Sequence, residues 1–68
     1  MKKYQDTIEM YKERIEYFTK EIYRTLDLID NAEIHELNDI LASVDDLRRL
    51  RNDSERMLEF YLKKQETE

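Results

Sequence analysis

His35 is the only histidine in a chain of 68 residues, and it is the first place to look for chemistry. Glu36 adjoins it and Asp39 follows one helical turn later. A His–Asp pair at i,i+4 would orient an imidazole for acid–base work. Nothing completes that arrangement. There is no Cys, and no Ser, Thr or Lys stands at the spacing that marks an activated nucleophile. A chain this short does not enclose a ligand-sized pocket by itself. His35 therefore reads as a solvated side chain near a helix start, and the chain as a non-enzyme. Metal chemistry fares no better. The Glu-x-x-His signature of di-iron bundles fails because Ala32 stands three residues before His35. Glu9, Glu13 and Glu16 share a helix face with Lys12 and Lys20, which is the pattern of a solvated surface. No spacing resembles a calcium loop. The expectation is no catalytic residue, no metal and no cofactor.

The acids carry information of a different kind. The net charge is −5, and residues 1–29 hold six basic and six acidic residues while residues 48–68 hold six and five. Between these flanks, Asp27 to Leu47 contains seven acids and no Lys or Arg. Asp30 and Glu33 suit a helix start, where negative charge complements the dipole. Asp30, Glu33, Glu36, Asp39, Asp45 and Asp46 together predict a negative patch that would dock a basic partner. Direct binding of nucleic acid is not expected, because phosphate contacts need clustered cations. Mimicry of DNA phosphates would need a longer and denser acid array.

Apolar residues in excess of one seam are the stronger functional signal. Met10, Tyr17 and Leu28 lie more than about 100° from the main stripe of the first arm, at about 100° per residue. Leu50, Met57 and Phe60 widen the apolar face of the second arm. Met and Tyr are favoured at interfaces, so these six residues form the expected second contact stripe.

The elements that position these groups are helical. The chain has no Gly and no Pro, which removes the usual turn chemistry of a β fold. Tyr4, Ile8, Tyr11, Ile15, Phe18, Ile22, Leu26 and Ile29 recur at steps of three and four, a heptad-like seam. The phase is lost at Asp30-Asn31, where Asp30 and Glu33 match a capping box and Asn31 tolerates a left-handed helix end. Apolar residues resume at Ile34, Leu37, Ile40, Leu41, Val44 and Leu47. The reading is one all-α domain over 1–68: arm one at about 2–29, a turn at about 30–32 and arm two at about 33–65. The arms are expected to fold as an antiparallel hairpin in which paired residue numbers sum to about 62, placing Tyr4 near Leu58 and Ile15 near Leu47. At Ile8 and Tyr11 this pairing meets Ser54 and Arg51. Either a bulky Tyr fills space over the small Ser, or the seam shifts to Leu50, Met57 and Tyr61. Ser43 with Asp46 and Asn52 with Glu55 are further capping boxes, so a third short helix is an alternative, as is one unbroken helix. Gln65 to Glu68 are expected to fray.

A single hairpin seam buries little, so two copies are expected to pair as a four-helix bundle. No apolar run is long enough to cross a bilayer, and no apolar run follows Lys2 and Lys3 as a signal peptide requires. With no Cys to staple it, a chain this small is expected in the cytoplasm. The expected function is a self-associating, homodimeric protein–protein interaction module that adapts or regulates another protein. The alternative is a small acidic inhibitor occupying the basic cleft of a nucleic-acid-handling enzyme.

Overall fold

The computed structural model describes residues 3–67. Helix α1 spans Gln5–Asp27, a 3-10 turn follows at Leu28–Asn31, and helix α2 spans Ile34–Thr67. The two helices pack against each other as a hairpin, and no strand occurs among the described residues. Met1, Lys2 and Glu68 lie outside the described residues, and with them the start of arm one and the end of the expected frayed tail. Gln65, Glu66 and Thr67 remain helical rather than frayed, and the Thr67 hydroxyl donates to the Lys64 carbonyl at 3.1 Å.

The seam of α1 is the expected one. Ile8 and Ile22 are buried, and Tyr4, Tyr11, Ile15, Phe18, Leu26 and Ile29 are half-buried. Along α2 the residues withdrawn from solvent are Leu37, Ile40, Val44, Leu47, Arg51, Ser54, Leu58, Tyr61 and Gln65. Their steps alternate three and four without a stutter. This is the heptad period that keeps one face turned toward a partner helix. The shift to Leu50 and Met57 does not happen: both are exposed, while Ser54 keeps only 6% of its surface and Ile8 only 1%. Ile8 and Ser54 are thus both buried in the seam, and the Tyr11 ring stacks on Tyr61. Arg51 stays in the seam with its Nε buried and without a hydrogen-bond partner, 3.6 Å from the Glu55 carboxylate that offsets its charge. Ile34 and Leu41, expected among the apolar face of arm two, are exposed instead, because the heptad seam passes them by.

The tip departs from expectation. Among the described residues none has a positive φ, so Asn31 is not left-handed. The 3-10 turn tightens the chain, the Ala32 N–H donates to the Ile29 carbonyl at 3.2 Å, and Ala32 itself is extended at φ −86°, ψ 144°. A tightened turn followed by one extended residue reverses the chain without a Gly-like conformation. The Asp30–Glu33 capping box is likewise not formed. Asp30 sits inside the 3-10 turn, and the Glu33 carbonyl accepts from the Glu36 and Leu37 N–H groups at 2.9 and 3.1 Å, opening α2 there. Ser43 and Asn52 lie inside α2, which runs unbroken, so neither caps a third helix.

The open end is closed by rings. Tyr61 lies 5.5 Å from Tyr4 and stacks on Tyr11 at 6.0 Å between centroids. Tyr4 thus meets a residue one turn beyond Leu58. Side chains lean toward the N-terminus of their own helix, so rings in antiparallel helices are offset in opposite directions. The hydroxyls of Thr19 and Thr25 donate to the carbonyls of Ile15 and Glu21, each at 2.8 Å, which satisfies them within α1.

Candidate interaction surface

Two antiparallel helices sharing one seam have two flanks. Turning the second helix to face the first, and then reversing its direction, returns its corresponding flank to the same side of the pair. The residues immediately preceding the first position of each heptad, and those four before them, therefore share one broad face. In α1 and the 3-10 turn these are Met10, Arg14, Tyr17, Glu21, Arg24 and Leu28. In α2 they are Glu36, Asp39, Ser43, Asp46, Leu50, Asp53, Met57, Phe60 and Lys64. The six residues of the expected second stripe, Met10, Tyr17, Leu28, Leu50, Met57 and Phe60, are all exposed, Tyr17 at 59% and Leu28 at 58%. By heptad position all six fall on this face.

The acids divide between surfaces. Glu36, Asp39 and Asp46 share the face just described, at its tip end. Asp45 sits one position round from Asp46, toward the opposite flank, while Asp30 and Glu33 cap the tip itself; all six are exposed. Among the described residues, Asp30, Asp39, Asp45 and Asp46 make no ion pair with the chain's own cations. Cations at the other end of the same face rest on rings. Lys64 Nζ lies 5.8 Å from the Tyr4 centroid and 5.2 Å from that of Phe60, and the Arg14 guanidinium lies 5.7 Å from the Tyr11 centroid. At the tip end, Arg24 and Glu21 neutralise each other at 3.4 Å. The expected Glu16–Lys20 pair forms at 3.2 Å on the outer surface.

His35 does not pair with Asp39. Its Nδ1 is 3.6 Å from Glu33 Oε2 and its Nε2 is 3.9 Å from Glu36 Oε1. Ligand atoms of Glu33, His35 and Glu36 lie within 4.8 Å of one another, a grouping that the search for Glu-x-x-His overlooked. All three side chains are exposed, and the two carboxylates address different ring nitrogens. They also crowd a helix N-terminus, whose partial positive charge opposes a cation. The arrangement fits charge pairing at a helix start better than a metal cage.

A second set of exposed apolar residues escaped the sequence reading as a surface. Tyr23, Ile34, Leu41 and Leu62 are exposed on the opposite flank, Ile34 at 85%. The detectable signal was the step of seven from Ile34 to Leu41, offset by three from the seam. No helix among the described residues is long and apolar enough to cross a membrane. Comparison with family models, with curated proteins and with solved structures finds no match.

Proposed function

We propose that this chain is a non-catalytic protein–protein interaction module of the cytoplasm. It pairs with a second copy as a four-helix bundle and acts on another protein as an adaptor or regulator. The observation that carries the reading is surplus surface. The chain exposes 5659 Å². A compact monomer of 8.5 kDa is expected to expose about 4,700 Å². The excess, roughly 1,000 Å², is of the order that one partner buries in a standard interface, about 800 Å². The elongation agrees: the radius of gyration is 15.8 Å, against about 11 Å for a compact chain of this length. Six exposed apolar side chains on one face supply the driving force.

Sedimentation equilibrium at tens of micromolar tests this. The expected mass is twice that of the chain, with a melting temperature that rises with concentration. A monomer with a concentration-independent melt overturns the reading. The acidic tip favours a second reading, a small inhibitor occupying the basic cleft of a nucleic-acid-handling enzyme. Its support is that Asp39 and Asp46 make no ion pair with their own chain among the described residues. Charge-steered capture of that kind weakens steeply with salt, because exposed charges are screened over about 8–10 Å at physiological ionic strength. Capture that survives both half-molar salt and replacement of Glu36, Asp39 and Asp46 by Gln or Asn excludes it.

A further inference from the structure

The opposite flank of the hairpin carries an apolar patch at its tip end. Ile34 and Leu41 are exposed at 85% and 49%, and Tyr23 at 65%. Ile34 and Leu41 stand two turns apart on one side of α2, a separation of about 10 Å. The Tyr4–Tyr61 contact fixes the level of one helix against the other, and carried along the hairpin it sets Tyr23 across from Leu41. Half-buried Leu26, one turn further along α1, lies between Tyr23 and the tip. Acids rim the patch. Asp27 follows Tyr23 by one turn, Asp45 follows Leu41 by one turn, and Asp30 and Glu33 precede Ile34 at the tip; all are exposed. We infer that this patch docks an amphipathic helix of a partner protein, its apolar side chains on Tyr23, Ile34 and Leu41 and its Lys or Arg side chains against the acids. The inference rests on the adaptor reading above and adds the surface through which the chain acts.

Spacing and charge select this occupant. Two turns is the interval at which an amphipathic helix repeats its apolar anchors in a groove. Large apolar side chains gathered on one side, with a polar rim, mark a contact site where scattered ones do not. The rim is uncompensated. Asp27, Asp30 and Asp45 make no ion pair with the chain's own cations among the described residues, and Glu33 lies against His35. Lys20, one turn before Tyr23, is held by Glu16 at 3.2 Å. An apolar centre within a negative rim is complemented by an apolar stripe flanked by cations. A second copy docking by the same patch would add the same acids rather than cations. The patch also stays clear of the proposed bundle. It lies across the seam from Met10, Tyr17 and Leu50, so a pair built on that face presents two such patches. Leu62 stands at the open end of the flank, apart from the patch.

Amide chemical-shift mapping on the full, isotope-labelled chain tests this. The probe is a synthetic Leu/Lys helix of about four turns with Leu at i, i+3, i+4 and i+7. It should shift the signals of Tyr23, Leu26, Ile34, Leu41 and Asp45 and leave those of Met10, Tyr17 and Leu50 in place. Ile34→Ser and Leu41→Ser, both at exposed positions, should each weaken binding about tenfold. Joint replacement of Asp27, Asp30 and Asp45 by Asn should weaken it about as much and remove most of its salt dependence. A Leu/Glu helix of the same pattern, and a Leu/Lys peptide whose order lacks the helical period, should shift nothing. No shift with the probe, shifts centred on the Met10 and Tyr17 face, equal shifts with the aperiodic peptide, or unchanged affinity in all the variants overturns the inference. Patch signals that move with chain concentration alone assign the surface to a second copy and overturn it too. Sedimentation reads self-association separately. Ile34→Ser should keep the wild-type mass, and a monomeric wild type that binds the probe at the patch overturns the pairing while this inference stands.

Discussion

Ile8 and Ile34 allow the same chemical deletion at opposite extremes of burial. Ile8 keeps 1% of its surface exposed and Ile34 keeps 85%. Replacing either by Ala removes three carbons. At about 0.8 kcal/mol per buried methylene, the transfer loss at position 8 is about 2.4 kcal/mol. A cavity term adds to it, so about 3–4 kcal/mol in all is expected. That is a large share of the total. At about 0.05–0.15 kcal/mol per residue, a chain of this length is stable by about 3–10 kcal/mol. At position 34 the change should stay within about 0.5 kcal/mol, with Ala slightly favoured as the better helix former. Urea denaturation of the two variants at one protein concentration measures the contrast. With a slope near 1 kcal/mol per molar, Ile8→Ala should lower the midpoint by about 3 M and Ile34→Ala should leave it in place. Equal midpoints would refute the seam assignment, since no argument from composition separates the two isoleucines.

Three further outcomes follow from the same geometry. Ser54→Ala should be tolerated, whereas Ser54→Leu should cost about 1–3 kcal/mol by overpacking a buried position of the seam; thermal melts separate them. Asn31→Gly should destabilise by about 0.5–1 kcal/mol, because the backbone there has no positive φ for Gly to relieve and Gly loses more chain entropy; a gain in stability would restore the left-handed turn. Tyr61→Ala should loosen the open end first, seen as faster amide exchange in the first turn of α1 with less change near Ile22.

The first arm was legible because every seam position there is apolar, so counting apolar residues and counting buried residues amount to the same thing. That equivalence fails after Leu47. The seam of α2 passes through Arg51, Ser54 and Gln65, while Leu50, Met57 and Phe60 stand beside it. Periodicity reads chemistry, and a helix buries whatever the partner's register places at the contact. The helical hairpin followed from arm length and spacing. The tip did not, because Asn and Asp preferences are weak local terms that closure of the seam overrides. The exposed stripe was legible for the same reason the seam was: residues more than a quarter turn from it have no helix to meet. Tyr23, Ile34, Leu41 and Leu62 were missed as a surface because the apolar spacing of arm two assigns Ile34 and Leu41 to its core face.

The bend at Ala32 has a consequence for how the chain behaves at high concentration. No Gly, Pro or left-handed residue locks it among the described residues, and Ala is the residue most willing to be helical. Closure is therefore a property of the seam and not of the turn. If Ala32 and its neighbours straighten, α1 and α2 join into one rod that has lost its intramolecular partner, and two such rods recover every seam contact by exchanging arms. Dilution favours the closed hairpin, since an arm tethered by so short a tip sees its partner at an effective concentration of about millimolar or above. Concentrated stocks, and refolding from them, favour the exchanged pair. The two forms share their seam and interconvert slowly, because exchange requires the seam to open completely.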